Sequence, residues 1–163
     1  PQENMTNASA TVSIILMLIG GSPVGTAGGI KTVTFAILVC SAFATIRNKK
    51  SATLFGRRIS EESIKKAVAV VVAFLTICTA STVLLMATNS VSAIDAVYET
   101  VSATATVGLS RNLTSTLNEF GKLIIIVTMY LGRVGPISLA VAIGSKNESQ
   151  NVISEPTEDI SIG

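Results

Sequence analysis

The run Gly20-Gly-Ser-Pro-Val-Gly-Thr-Ala-Gly-Gly-Ile-Lys-Thr32 interrupts a stretch that otherwise reads as one apolar helix. Val12-Ser-Ile-Ile-Leu-Met-Leu-Ile19 precedes it, and Val33 to Ile46 follows without a charged residue. Repeated glycine and a proline cannot continue a regular helix without cost. Without the break, residues 9–46 would make a helix of roughly 57 Å, far longer than a ~30 Å hydrocarbon core. The stretch is therefore expected to be two half-helices around an irregular loop. In lipid, broken backbone is tolerated only where protein buries it or where it lines a watery cavity. The break thus points to a pathway through a membrane.

Charge placement supports a membrane setting. Only 13% of the 163 residues are charged, against about 25% in soluble domains. Mean hydropathy is +0.61. No charge lies between Glu3 and Lys31, between Lys66 and Asp95, or between Lys122 and Arg133. Apolar runs of about 20 residues are the length needed to span a bilayer. Arg47, Lys49, Lys50, Arg57, Arg58, Lys65 and Lys66 cluster between the first two runs, which places residues 47–66 in the cytoplasm by the positive-inside rule. Lipid headgroups, and to a lesser extent a cytosolic partner, are the expected contacts of this basic loop. Nothing in the charge pattern suggests nucleic acid.

Several chemistries are excluded. The chain has no His, and Cys40 and Cys78 stand singly in apolar segments, so a Cys/His metal site is not expected. Gly25-Thr-Ala-Gly-Gly-Ile-Lys-Thr32 imitates a phosphate-binding loop but fails the pattern, because Ile30 separates the glycine from Lys31. No enzyme activity is expected. The opening Pro1-Gln-Glu-Asn has no Met and no basic segment, so a signal peptide is not expected and the chain reads as a piece of a longer one. The end, Glu158 to Gly163, fits a terminus.

The expected architecture is all-α integral membrane. Residues 1–46 form the broken span with its loop at 20–32, and 47–66 the basic loop. Residues 67–143 form a unit with a helix at 67–88, a half-length helix at 92–103, a loop at 104–110 and a helix at 118–143. Residues 144–163 form a cytoplasmic tail. The half-length helix is too short to span, and an irregular loop after it suggests a re-entrant hairpin between full spans. The last span carries Arg133 near its centre, beside Gly132, Gly135 and Pro136. A mid-membrane charge normally faces a cavity or a partner; Glu99 is the candidate ion-pair partner, and an electrostatic barrier in a cation pathway is the other reading.

The order helix, short helix, loop, helix resembles a potassium-channel pore unit, and Thr104-Ala-Thr-Val-Gly-Leu-Ser110 resembles the Thr-Val-Gly core of potassium filters. An extended strand containing Gly108 would aim successive carbonyls at a dehydrated cation. The short helix would add the partial negative charge of its C-terminus. Taken together, Gly20 to Thr32, Ala105-Thr-Val-Gly-Leu-Ser110 and Gly132-Arg-Val-Gly-Pro136 resemble the membrane subunit of bacterial Ktr-type potassium uptake systems, within the Trk/Ktr/HKT superfamily.

That resemblance implies four non-identical pore repeats on the full chain. This piece would hold the last helix of repeat three and all of repeat four. It implies a filter at Ala105, Thr106, Val107 and Gly108. It implies a gate beneath the filter made by Gly25, Thr26, Ala27, Gly28, Gly29 and Lys31 of the loop, with Arg133 projecting into the pathway there. It further implies potassium as substrate, sodium as a candidate regulator and no cofactor in this chain. A homodimer in the cell membrane, docked on a cytosolic nucleotide-binding regulatory ring, is the implied assembly. Val24 and Arg111-Asn112 depart from the pattern; Arg111 is expected to bring positive charge to the outer mouth. A secondary transporter is the alternative, since broken helices also build midplane substrate sites.

Overall fold

The computed structural model describes residues 5–21, 28–49, 52–54 and 57–134. In order it contains α1 (Asn7–Leu18), α2 (Thr32–Ile46), β1 (Thr53–Leu54), β2 (Arg57–Arg58), α3 (Glu61–Thr88), α4 (Ala93–Thr104), α5 (Leu113–Thr116) and α6 (Glu119–Val134).

Local chemistry explains most of the helix starts. Thr6 caps α1 by accepting from the Ser9 amide at 3.3 Å, and Ser60 caps α3 by accepting from Ser63 N at 3.2 Å. Glu61 and Glu62 occupy the first turn of α3, where negative charge complements the helix dipole. For this reason α3 begins six residues before the span expected from residue 67. Its 28 residues make a rod of about 42 Å, and it is long and apolar enough to cross a membrane. Asn118 seals the opposite end of this helix to α6. Its Nδ2 donates to Thr88 O at 2.7 Å, its amide donates to Asn89 Oδ1 at 3.0 Å, and its Oδ1 accepts from Gly121 N at 2.7 Å.

The short helix α4 is the hub: α1, α3 and α6 all pack on it. Hydroxyls join the helices where lipid-like surroundings would penalise an unpaired group. Ser81 and Thr128 share a hydrogen bond of 2.7 Å between α3 and α6, and Thr82 and Thr100 one of 2.8 Å between α3 and α4. Cys78 donates to Thr104 Oγ1 at 3.4 Å. Phe74, Cys78, Tyr98, Val101 and Ala105 form the apolar core with Ala10, Met17 and Ile30.

The architecture is mostly helical, as expected; within the basic segment β1 and β2 form a two-residue antiparallel hairpin, with Thr53 opposite Arg58 and Leu54 opposite Arg57, leaning on α2. The return from the turn after α4 to the last helix holds a further short helix. Asn112, left-handed at φ +69°, opens the short helix α5 within it. The expected continuation of the last helix to residue 143 and the tail at 144–163 lie outside the described residues.

Candidate functional site

The site forms where the two helix breaks meet. The first break is closed at its neck. Gly20 N donates to Ile30 O at 2.7 Å, Thr32 N donates to Gly21 O at 3.3 Å, and Ile19 and Ile30 form a parallel bridge. The rims of the loop are thus zipped together, and Lys31 sits at the N-cap of α2. Gly25, Thr26 and Ala27, expected in the gate, lie outside the described residues.

The second break begins at the end of α4. Thr106 N donates to Ala103 O at 3.1 Å and Val107 N to Ser102 O at 3.0 Å. This pair of bonds is the Schellman arrangement, which ends a helix through one residue in the left-handed region. Thr106 fills that position at φ +55°. Glycine or asparagine is the usual occupant; a β-branched residue there is strained by roughly 1–3 kcal/mol. Gly108 follows at φ +82°. The segment expected as an extended strand therefore changes hand along its length, and Thr104 and Ala105 still belong to the end of the helix. The reason is that α4 must be capped: its last carbonyls are buried and take the amides of the turn itself. Ser102 fastens the turn a second time, its Oγ accepting from Leu109 N at 2.9 Å.

The strained threonine touches the other break. Gly28 N donates to Thr106 Oγ1 at 2.8 Å, across 78 residues. A Cβ on Gly28 would lie 2.7 Å from Thr106 Oγ1 and 2.9 Å from Ala105 O, so no side chain fits without separating the two loops. The neck of the first loop, α1 and residues Ala105 to Val107 line a cavity of about 550 Å³. Val107 and Gly108 are exposed beside it.

On the other side of α4, Gly132 of α6 abuts Thr104. A Cβ there would overlap the Thr104 carbonyl oxygen. This contact sets Arg133, the next residue, level with the start of the filter-like turn. Glu99, the candidate partner of Arg133, also serves the loop beyond α4. It is buried at 5% exposure, and its oxygens accept from Ser110 Oγ at 2.9 Å and from Thr114 Oγ1. Arg111 does not present bare charge: its Nη1 lies 2.8 Å from Asp95 Oδ1.

The structure thus brings Gly28 and Gly29 together with Ala105 and Thr106, and stations Arg133 beside the end of α4. Sequence reading missed Ser102, Asp95 and the hydroxyl partners of Glu99. The spacing of Ser92 and Asp95, three apart before an apolar helix, was the one local signal for part of this set.

The described residues thus hold one helix long and apolar enough to cross a membrane, and beside it a half-length helix enclosed by its neighbours that ends in a glycine-bearing turn. The sequence matches the TrkH family, described as cation transport protein, over residues 1–155, and the chain belongs to that family. It is 41% identical to Ktr system potassium uptake protein B of Vibrio alginolyticus over 135 residues, covering 83% of this chain and 30% of that protein. It is 38% identical to the protein of the same name from Bacillus subtilis over 149 residues, 91% of this chain and 33% of that one. It is 35% identical to the potassium/sodium uptake protein NtpJ of Enterococcus hirae over 164 residues, 98% of this chain and 36% of that one. The chain spans about a third of the length of these relatives.

Proposed function

We propose that this chain supplies one quarter of a potassium-selective pore, with the break at residues 20–32 as its gate. The observation that carries the reading is the bond between Gly28 N and Thr106 Oγ1, because it joins the glycine loop to the left-handed turn that ends the half-length helix. Under this reading α4 is a pore helix, α3 and α6 are the flanking spans of the fourth repeat, and α1 and α2 are the halves of the last span of the third. Carbonyls of Ala105 to Gly108 replace the water shell of a potassium ion. The ion then passes the loop of residues 20–32 and Arg133, whose charge raises a barrier to cations until the loop moves.

No bond is made or broken in this process. A membrane potential supplies about 2.3 kcal/mol per charge per 100 mV, so a cation can enter the cell down its electrochemical gradient without hydrolysis at this subunit. Residues 47–66 lie in the cytoplasm in this reading. With the tail, they offer basic and acidic contacts to a cytosolic nucleotide-binding ring, and the full-length subunit is a homodimer in the bacterial cell membrane. Sodium is a candidate regulator, in keeping with a relative named for uptake of both ions.

The test is potassium-limited growth and uptake by the full-length protein carrying Gly108→Ser. A side chain at φ +82° is disfavoured by roughly 1–2 kcal/mol, so apparent potassium affinity is expected to fall about tenfold. Wild-type affinity in that variant would remove residues 105–108 from the ion path.

A further inference from the structure

Asp95 and Glu99 lie one turn apart on α4, so their side chains share a face. That face grips the loop leaving the filter-like turn. Ser92 caps α4, accepting from Asp95 N at 3.3 Å, and its own hydroxyl donates to Asp95 Oδ2 at 2.6 Å. This aims the other oxygen, Oδ1, at Arg111 Nη1, 2.8 Å away. Arg111 Nη2 in turn donates to Met5 O at 3.3 Å, linking the loop to the approach to α1 across 106 residues. The Arg111 side chain is 11% exposed, so the contact is more shielded than a surface ion pair. One turn further along, Glu99 takes the hydroxyls of Ser110 and Thr114.

A buried carboxylate is expensive unless it is fully hydrogen-bonded. Packing alone would be served better by an apolar residue of similar size. Both carboxylates of this face engage adjacent loop residues, Ser110 and Arg111. Ser102 fastens Val107 and Leu109 from the near side. Gly108 therefore hangs between two sets of anchors.

We propose that Asp95 and Glu99 form a two-point clamp that sets the position of the far end of the filter, and with it the preference for potassium over sodium. This rests on the reading of residues 105–108 as a filter. Neither carboxylate touches the ion; both are positioning residues that act through Ser110, Arg111 and Thr114. Ion discrimination depends on where the carbonyls stand. A loop free to shift by a fraction of an ångström loses that discrimination before it loses conduction.

The experiment compares potassium and sodium uptake by the full-length protein in liposomes. The variants are Glu99→Gln, Thr114→Val, Asp95→Asn, Arg111→Gln and the double variant Asp95→Asn/Arg111→Gln. Each single variant is expected to raise the KM for potassium, and lower the potassium-to-sodium ratio, by about fivefold or more, with maximal rate kept within about twofold. The double variant is expected to be no worse than the worse single, as for partners in one contact. Gly108→Ser runs beside them. Unchanged KM and ratio in Glu99→Gln and Arg111→Gln, with Gly108→Ser altered, would overturn the clamp alone. Unchanged behaviour in all of them would overturn the filter reading with it. A loss of protein amount or maximal rate with an intact ratio would also overturn the clamp, since it would mark a purely structural role. Arg111→Gln keeps the test open if Glu99→Gln does not fold, because Arg111 lies in the loop rather than in the helix.

Discussion

Two helices of this chain end in irregular turns, and the turns are held very differently. The turn after α4 is fastened along its whole length: Ser102 holds Val107 and Leu109, Glu99 holds Ser110, and Asp95 holds Arg111. The break between α1 and α2 is zipped at its neck by Gly20 and Ile30, and its described end meets the other turn where Gly28 donates to Thr106. The turn at 105–110 is thus held by side chains of the helix it leaves, and the neck of the break is held backbone to backbone.

Substitutions can break that contrast. Gly132→Ala carries the largest expected effect, because its Cβ would overlap the Thr104 carbonyl that starts the rigid turn. Helix α6 must then separate from α4, at about 3 kcal/mol or more. Thermal unfolding of the full-length protein in detergent reads this directly, and a variant as stable as wild type would contradict the close approach. Deleting residues 24–28 comes next: flux should rise strongly if the loop is a gate, and unchanged or lower flux counts against it.

Gly28→Ala is subtler. Its Cβ would press on Thr106 Oγ1 at 2.7 Å and Ala105 O at 2.9 Å, a milder overlap than the one at Gly132. It should therefore raise resting potassium flux several-fold while costing only about 1 kcal/mol of stability, less than Gly132→Ala. Equal stability losses in the two would show that both turns are equally rigid. Thr106→Ser keeps the hydroxyl and should change resting flux least. Thr106→Gly removes both hydroxyl and strain; it should raise flux while gaining up to about 1 kcal/mol of stability, since glycine accepts the left-handed position freely. Comparing melting temperature with flux for these two variants separates the strain from the latch.

What was legible in the sequence was local or periodic. The glycine and proline of residues 20–29 cannot be helical, so the break between α1 and α2 could be read from them. The charge-free runs marked the apolar helices, though not the start of α3, which lies six residues before the expected span. What was illegible depended on partners distant in sequence. Thr106 has every local reason to avoid a left-handed conformation, and only the burial of the α4 end forces it there. The hydrogen bonds from Ser110 and Thr114 to Glu99 could not be read either, because they depend on how the loop folds back over α4. Arg111 looked like free charge for the same reason: Asp95 is 16 positions away, and Met5 is further still.

By itself, then, the sequence determined which runs are apolar enough to cross a membrane, where the first of them breaks and which segments carry charge. Those properties follow from how single residues and short runs partition between water, lipid and helix. Only the tertiary structure decided that the two breaks face each other, that a strained threonine joins them, and that two carboxylates of one helix face hold the loop beyond. Hydrogen bonds act over about 3 Å, and which atoms come that close is settled by how α1, α3 and α6 pack around α4.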